Sequence, residues 1–380
     1  MEEFNLWDLD RINIRVNKSF LDKINQEISL QYKNKVEAYR ILFLNKEIPW
    51  ISFKNMLKKS YMRDFFVPLE ILLKITDKLR ISKEELQKNV IAYKTAGGVN
   101  YIENPILPIK ITPVFHMLLG HHLGDGTAIN PRKGRLPYFG YRQFNEFYRV
   151  GYIRKIESIF GKINFKKDYI TKSTRPYCPP SISTLLFNYY NFSIKDFNSL
   201  TSRLPQDIFQ KDKDSLLAIL CAFIIDEGHV DSTLIVIALK NKPLVLDLKK
   251  ICDILDYDSK ITYRFGEYRD YGYLQILRKG MKRLYLDYLN LNKKYSVIDL
   301  GWKGKQIEDS FKVYTRKIQR AKGNKNLILN ILKNEQLSVN QLANQLNMTR
   351  QGIRFHIHNL LKENEIRIIN KNDPNWLYGV

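Results

Sequence analysis

The sequence has little cysteine, no long hydrophobic run and no low-complexity tract. Its three cysteines lie far apart and form no C-x-x-C pair, which argues against a disulfide scaffold and against a cysteine zinc site. The longest strongly apolar run is 216–225, whereas a membrane-spanning helix needs about 20 such residues. The acidic N-terminus lacks an apolar segment, so we expect no secretory signal. These absences predict a soluble, cytoplasmic protein with no membrane partner.

Acidic residues are also scarce relative to basic ones. The chain has 62 Lys and Arg residues against 39 Asp and Glu residues, a formal net charge of +23 at pH 7. Such an excess predicts a polyanionic partner, most simply nucleic acid. Hydrophobic residues make up 44% of the chain, which is enough to fill packed cores, and a length of 380 residues predicts two or three domains.

Composition and periodicity divide the chain into five segments. Apolar residues recur every three or four positions in 20–42 and 69–90, and Ser82 before Glu85 resembles a capping box, so the first segment is predicted to be helical. The basic residues of the fourth segment, Lys303 among them, either form a solvated helix face or contact phosphates. The predicted segments are 1–95, a helical domain for which DNA binding and simple packing are both open; 96–112, a linker; 113–300, a mixed α/β domain; 301–325, a basic linker helix; and 326–380, a C-terminal domain.

Two stretches of the 113–300 domain resemble each other. Residues 118–126 read LLGHHLGDG and residues 220–228 read LCAFIIDEG, and each predicts an apolar helix that ends in an acid followed by glycine. A strand, a helix and a further strand are predicted after each stretch, and Gln143 and Lys240 fall at equivalent strand ends. This self-similarity predicts two copies of one unit packed about a pseudo-twofold axis.

The two apolar helices are predicted to pack side by side. Gly120 and Gly124 lie on one helix face, where small residues allow a second helix to approach closely. Such a crossing brings the carboxylates of Asp125 and Glu227 together, which is costly unless they bind a cation. A divalent metal ion there would activate a water molecule and stabilise the leaving oxygen of a phosphodiester.

These stretches resemble the paired motifs of the LAGLIDADG (DOD-type) homing endonucleases, in the form that carries both motifs in one chain. The matching positions are Leu118, Gly120, Asp125 and Gly126 in the first stretch, and Leu220, Phe223, Ile224, Glu227 and Gly228 in the second. The resemblance covers 113–298. It implies an α/β (α+β) fold in which an αββαββα unit is duplicated about a pseudo-twofold axis. The two sheets would form a saddle over the DNA major groove, and the chain would act as a monomer.

The same resemblance implies the residues of the site. Asp125 and Glu227 would bind Mg²⁺ (or Mn²⁺) and catalyse cleavage of both DNA strands, while Gln143 and Lys240 would organise the active-site water. The residues expected to contact DNA in this domain are Arg142, Lys242, Lys293 and Lys294. For the last two, a plain surface lysine pair is equally open.

Three residues depart from the family pattern. His121 and His122 stand where aliphatic residues are usual, and we favour ordinary packed histidines over a zinc or proton-relay role. Asp226 stands where a small residue usually precedes the acid, and it either joins the metal shell or disturbs the helix pairing. None of these changes removes the acid pair.

Residues 326–380 resemble a winged helix-turn-helix domain. Ser338 and Thr349 are predicted to cap its second and third helices, and two short strands are predicted to follow. The third helix would enter the DNA major groove. Its predicted base-reading residues are Arg350, Gln351, Arg354 and His358. The alternative is a winged helix used for protein contact.

Taken together, these patterns favour a magnesium-dependent endonuclease that recognises and cleaves double-stranded DNA and is associated with the nucleoid. Two alternatives stay open. Transcription regulators that join a LAGLIDADG-like domain to a helix-turn-helix bind DNA without cutting it, although they typically lack the acids found here. An RNA-intron maturase on the same fold would bind structured intron RNA instead of a duplex.

Overall fold

A computed structural model of the chain describes residues 2–43, 47–130, 135–165, 174–264, 270–314, 324–370 and 376–380. The chain divides into two compact units, Met1–Val313 and Tyr314–Val380, and each has its own hydrophobic core. None of the helices in the described ranges combines the length and the apolar character that a membrane crossing requires.

The first 110 residues of the larger unit combine helices with short strands. The elements are β1 (Glu3–Phe4), β2 (Ile12–Val16), α1 (Lys18–Gln31), α2 (Lys35–Leu42), α3 (Trp50–Lys59), β3 (Val67–Pro68), α4 (Leu69–Lys78), α5 (Lys83–Lys88), β4 (Val90–Thr95), β5 (Tyr101–Glu103) and β6 (Ile109–Lys110). The Ser82 hydroxyl accepts a hydrogen bond from the Glu85 N–H, which confirms the helix start predicted there. The strands were not predicted. They carry β-branched and aromatic residues in runs too short to show a periodicity.

The first repeat follows these elements. It consists of α6 (Pro113–Leu123), β7 (Gly126–Ile129), β8 (Tyr138–Tyr141), α7 (Glu146–Phe160), β9 (Lys162–Asn164) and α8 (Pro180–Tyr189). Strands β7 and β8 pair antiparallel, with Gly126 opposite Tyr141. Backbone hydrogen bonds of 2.9–3.0 Å also join 139–143 to 174–178, so a third extended segment lies beside β8.

The second repeat shows the complete αββαββα order. It consists of α9 (Lys213–Glu227), β10 (Gly228–Val230), β11 (Leu234–Leu239), α10 (Lys242–Ile254), β12 (Ser259–Arg264), β13 (Tyr271–Leu277) and α11 (Arg278–Lys294). Its four strands form an antiparallel sheet in the order β10-β11-β13-β12. Helix α12 (Trp302–Tyr314) covers the first part of the predicted basic linker helix, and 315–323 lie outside the described residues.

The first repeat departs from the second at β9. This strand pairs antiparallel with β5, so it joins a sheet of order β3-β2-β4-β5-β9, whereas its counterpart β12 pairs with β13 inside its own repeat. Gly161 makes the turn from α7 into β9 with φ +104°, and a Cβ there would lie 2.7 Å from the Asn104 carbonyl oxygen. A glycine is therefore required where the chain enters the shared sheet. The predicted linker, 96–112, is part of the same sheet through β5.

Helices α6 and α9 pack against each other at the centre of the larger unit. Both are buried on nearly every side, as expected for helices that are apolar all round. A Cβ at Gly120 would lie 2.6 Å from the Ala222 Cβ, and a Cβ at Gly124 would lie 2.9 Å from an Asp226 carboxylate oxygen. The two glycines therefore allow the close approach that the sequence predicts.

The described residues of the smaller unit, 324–370 and 376–380, form three helices and a small antiparallel sheet. Its elements are α13 (Asn324–Asn334), β14 (Leu337–Ser338), α14 (Val339–Gln345), α15 (Arg350–Lys362), β15 (Arg367–Asn370) and β16 (Leu377–Gly379), with the strand order β14-β16-β15. The Ser338 and Thr349 side chains accept hydrogen bonds from the first turns of α14 and α15, so both predicted caps are confirmed. The three helices and the last two strands follow the predicted order, whereas β14 was not predicted.

Candidate active site

The two predicted acids lie at equivalent places at the ends of α6 and α9. Asp125 follows the capping residue of α6, and Glu227 is the last residue of α9. A Cβ at Gly126 would lie 2.2 Å from the carbonyl oxygen four residues earlier, and a Cβ at Gly228 would lie 2.4 Å from its counterpart. Each glycine therefore lets a strand leave the helix directly after the acid, and both carboxylates stay at the junction of the paired helices.

The carboxylates at this junction repel one another. Burial, followed by the charges of Asp226 and Glu227, raises the pKa of Asp125 to about 8. Burial and the charge of Asp226 also raise the pKa of Glu227. Half-buried carboxylates with raised pKa values are costly to ionise, and a bound cation stabilises their ionised form.

Gln143 reaches the first acid from the end of β8. Its Nε2 donates a hydrogen bond of 2.9 Å to Oδ2 of Asp125. The Arg142 N–H donates to the Asp125 carbonyl oxygen at 3.0 Å, so the end of β8 is fixed beside the acid. The Arg142 guanidinium lies 5.3 Å from the centre of the exposed Phe144 ring. Gln143 therefore contacts Asp125, and its predicted role in organising water stays a prediction.

Lys240 lies at the equivalent end of β11, close to the second acid. A cavity of about 480 Å³ is lined by both repeats, including Glu227, Lys240 and Thr127. The Lys240 ammonium is exposed and lies 5.7 Å from the centre of the Tyr271 ring. The structure thus brings Lys240 and Glu227 to one cavity.

Asp226 points into the protein interior. Its side chain is fully buried, accepts a hydrogen bond of 2.6 Å from the Tyr141 hydroxyl and lies 3.0 Å from Nδ1 of His121. Burial raises the pKa of Asp226 to about 7, and the buried ammonium of Lys155 opposes that rise. The Asp226 carboxylate is therefore packed between the two repeats. It does not disturb the close pairing of α6 and α9.

The two histidines next to the first acid are buried side chains. Nε2 of His122 lies 2.7 Å from the Tyr152 hydroxyl, and the His122 ring stacks on Phe139 with centroids 3.8 Å apart. Burial lowers the pKa of His121 and of His122 well below 6.5, so both are neutral. These contacts agree with ordinary packed histidines, the interpretation that the sequence favoured.

Lys303 has a position that sequence reasoning did not foresee. It is only 6% exposed, and its ammonium donates hydrogen bonds of 2.8 Å and 2.6 Å to the carbonyl oxygens of Ile224 and Ile225 in the last turn of α9. It is therefore neither solvated nor available to a phosphate. A signal was present in the sequence, since Ile307 and Ser310 follow it at helical spacing on the buried face of α12.

The remaining predicted DNA contacts of this unit lie away from the acids or in ion pairs. The Lys242 ammonium lies 2.7 Å from Asp270, and the Lys294 ammonium lies 2.8 Å from Asp214. Asp214 is in the first turn of α9, and Glu227 ends that helix about 20 Å away at 1.5 Å per residue. Lys294 and its exposed neighbour Lys293 are therefore far from the acids, which favours the surface lysine pair left open above.

The second sheet presents an alternating face that was not predicted as a binding surface. Along β11 and β13, buried residues alternate with partly exposed ones, so one face packs on the core and the other stays accessible. The accessible face carries Lys240, Lys260, Tyr271, Tyr273 and Gln275. Side chains of this kind donate and accept hydrogen bonds and stack on rings.

In the smaller unit, α15 presents the four predicted base-reading residues to solvent. These residues are Arg350, Gln351, Arg354 and His358, and all are exposed. Three of them also line a cavity of about 490 Å³ together with Trp376 and Tyr378. Phe355 on the same helix is 64% exposed and was not predicted.

Comparisons with known proteins add two distant likenesses. No family model matches the chain, and no curated protein matches it. Among solved structures, the homing endonuclease I-WcaI bound to its DNA recognition sequence is 12% identical, and the match covers 49% of this chain and 83% of that chain with a TM-score of 0.31. Full-length DUF199/WhiA from Thermatoga maritima is 15% identical, and the match covers 67% of this chain and 91% of that chain with a TM-score of 0.30. TM-scores this low do not establish a shared fold.

Proposed function

We propose that the protein is a sequence-specific endonuclease that cleaves double-stranded DNA with a divalent metal ion held by Asp125 and Glu227. The observation that carries this proposal is the placement of two carboxylates at the ends of two paired, equivalent helices. One chain supplies both acids, so a monomer acting on DNA in the nucleoid suffices.

The donor atoms at the junction fit Mg²⁺ (or Mn²⁺). Carboxylate oxygens are hard ligands, and the pKa of Asp125 is raised by burial and then by neighbouring carboxylates, both of which a bound cation would offset. Among the described residues, no group of three or more His, Cys, Asp or Glu side chains is placed to hold a metal ion. Two carboxylates still suit Mg²⁺, which usually keeps several waters and takes further ligands from substrate phosphates.

The metal ion would supply an activated water and stabilise the leaving oxygen of the phosphodiester. The chain's own residues position the reactants. Gln143 holds one oxygen of Asp125 through its hydrogen bond, which orients that carboxylate. Lys240 places a positive charge in the cavity beside Glu227, where it would attract a phosphate.

Three features support DNA as the partner. The net charge of +23 favours a polyanion. The accessible face of the second sheet carries hydrogen-bonding and aromatic side chains, and a two-stranded ribbon fits the major groove. The exposed polar residues of α15 would contact base edges in the same way as a recognition helix.

Cleavage of a plasmid library with random inserts tests the proposal. The wild type is compared in Mg²⁺ with Glu227→Gln and with Glu84→Gln, a matched control at an exposed acid of α5. We expect discrete metal-dependent breaks with the wild type and with Glu84→Gln, and none with Glu227→Gln. Tight duplex binding without breaks, unchanged by Glu227→Gln, would overturn the cleavage proposal and favour a non-cleaving regulator. Preference for structured intron RNA over the duplex would favour a maturase.

A further inference from the structure

Lys303 is held at the end of α9 by the helix backbone. The last carbonyl groups of a helix have no partner within it, and a lysine ammonium can satisfy them. The ammonium of Lys303 bonds to the carbonyls of Ile224 and Ile225 at 2.8 Å and 2.6 Å, and the Ile224 carbonyl also accepts a hydrogen bond from the Gly228 N–H. Glu227 is two residues beyond them. The charge of Lys303 is therefore fixed beside the acids, unlike the charge of a surface lysine that moves freely.

The fixed charge acts on every carboxylate at the junction. Lys303 interacts electrostatically with Asp125, Asp226 and Glu227 and stabilises the ionised form of each. Asp226 is fully buried and already has the Tyr141 hydroxyl as a partner. The two remaining acids are those proposed to bind the metal ion, and Lys303 neutralises part of the charge that would attract it.

We propose that Lys303 is a tethered counter-ion that competes with the divalent ion for the negative charge of Asp125 and Glu227 and so sets the metal affinity of the site. This inference rests on the metal site proposed above. Lys303 also keeps the acid pair compatible with burial before metal and substrate arrive, because three neighbouring carboxylates without a cation would repel one another. Removing its charge makes the junction more negative, and a divalent cation then binds more tightly.

Titration of the full-length protein with Mn²⁺, followed by the electron paramagnetic resonance signal of free Mn²⁺, tests this inference without any cleavage readout. Lys303→Gln removes the charge and keeps an N–H donor for the two carbonyls, whereas Lys303→Met removes both. Lys305→Gln removes an exposed charge two positions along the same helix and is the matched control. Asp125→Asn shows whether the Mn²⁺ is bound at the acid pair.

We expect both neutral Lys303 variants to bind Mn²⁺ about ten-fold more tightly than the wild type, the change that corresponds to one pKa unit of electrostatic interaction. Lys305→Gln should bind as the wild type does, and Asp125→Asn should lose the site. An unchanged or weaker affinity in Lys303→Gln, with Mn²⁺ still bound by the wild type, would overturn this inference alone. A wild type that does not bind Mn²⁺ at all would overturn the proposed metal site as well.

Discussion

One added methyl group at Gly120 measures how closely α6 and α9 pack. The new Cβ would lie 2.6 Å from the Ala222 Cβ and 3.0 Å from the Ile219 carbonyl oxygen. Carbon atoms in contact lie about 3.5–4.0 Å apart, so the helices must separate by about 1 Å. Overpacking of this kind costs about 1–3 kcal/mol, whereas alanine gains about 1 kcal/mol over glycine in a helix interior. Gly120→Ala should therefore be destabilised by about 0–2 kcal/mol.

Gly151→Ala is the matched control, because it makes the same change inside α7. Its Cβ would meet a single side-chain atom at 3.6 Å, an ordinary contact, so this variant should gain up to about 1 kcal/mol. The two variants then differ by about 1–3 kcal/mol. At about 2 °C per kcal/mol for a unit of this size, their Tm values differ by roughly 2–6 °C in thermal unfolding followed by circular dichroism.

The double variant Gly120→Ala/Ala222→Gly moves the methyl group from one helix to the other and restores most of the clearance. Its free energy of unfolding should exceed the value obtained by adding the two single changes by about 1–3 kcal/mol, because the two sites are in contact. A Gly120→Ala variant as stable as Gly151→Ala, or an additive double variant, would show that the helices do not meet at this distance.

Three other predictions concern stability. Burial lowers the pKa of His116 to about 4 from 6.5, so this residue costs no stability above pH 6.5 and lowers the free energy of unfolding by about 3 kcal/mol as the pH drops to 4; His116→Gln should remove this share of the pH dependence in urea unfolding, and an unchanged slope would contradict the assignment. Asp247 is 2% exposed and accepts two hydrogen bonds from the Arg203 guanidinium. Asp247→Asn should therefore lower the free energy of unfolding by about 1–3 kcal/mol. An unchanged free energy of unfolding would show that the pair is dispensable. The Thr349 hydroxyl caps α15, so Thr349→Ala should speed amide hydrogen exchange in the smaller unit by the equivalent of about 1 kcal/mol. Thr349→Ser keeps the hydroxyl and should not change the exchange rate. Exchange that rises equally in the larger unit would refute a local effect.

The parts of the molecule that sequence predicted well are those marked by repetition. An apolar helix that ends in acid and glycine is common, but two of them with matching downstream elements predict a pair, and the structure brings the ends of α6 and α9 together as expected. Gln143 was predicted from the strand end it shares with Lys240, and it does contact Asp125. The roles of these residues in catalysis stay predictions.

The parts that sequence missed depend on pairing between distant segments or on the surroundings of a charge. The β5–β9 pair joins segments far apart in the chain, and no periodicity signals such a partner. Lys303 is one of many lysines in its segment, and its charge predicts an exposed side chain. Its spacing from the apolar residues of α12 nevertheless places it on the buried face of that helix. The buried position of Asp226 depends on Tyr141 and His121, which are residues of the other repeat.

The strand that β9 contributes to the N-terminal sheet has a consequence for how this chain can be shortened or recombined. Removing residues 1–110 would strip β9 of its partner β5 and leave backbone N–H and C=O groups unpaired along an open edge, the feature through which sheets aggregate. The two repeats are therefore not exchangeable halves. The second repeat has its full four-stranded sheet within its own sequence, whereas the first depends on a strand that precedes it in the chain. A shortened form would therefore need a designed cap at that edge.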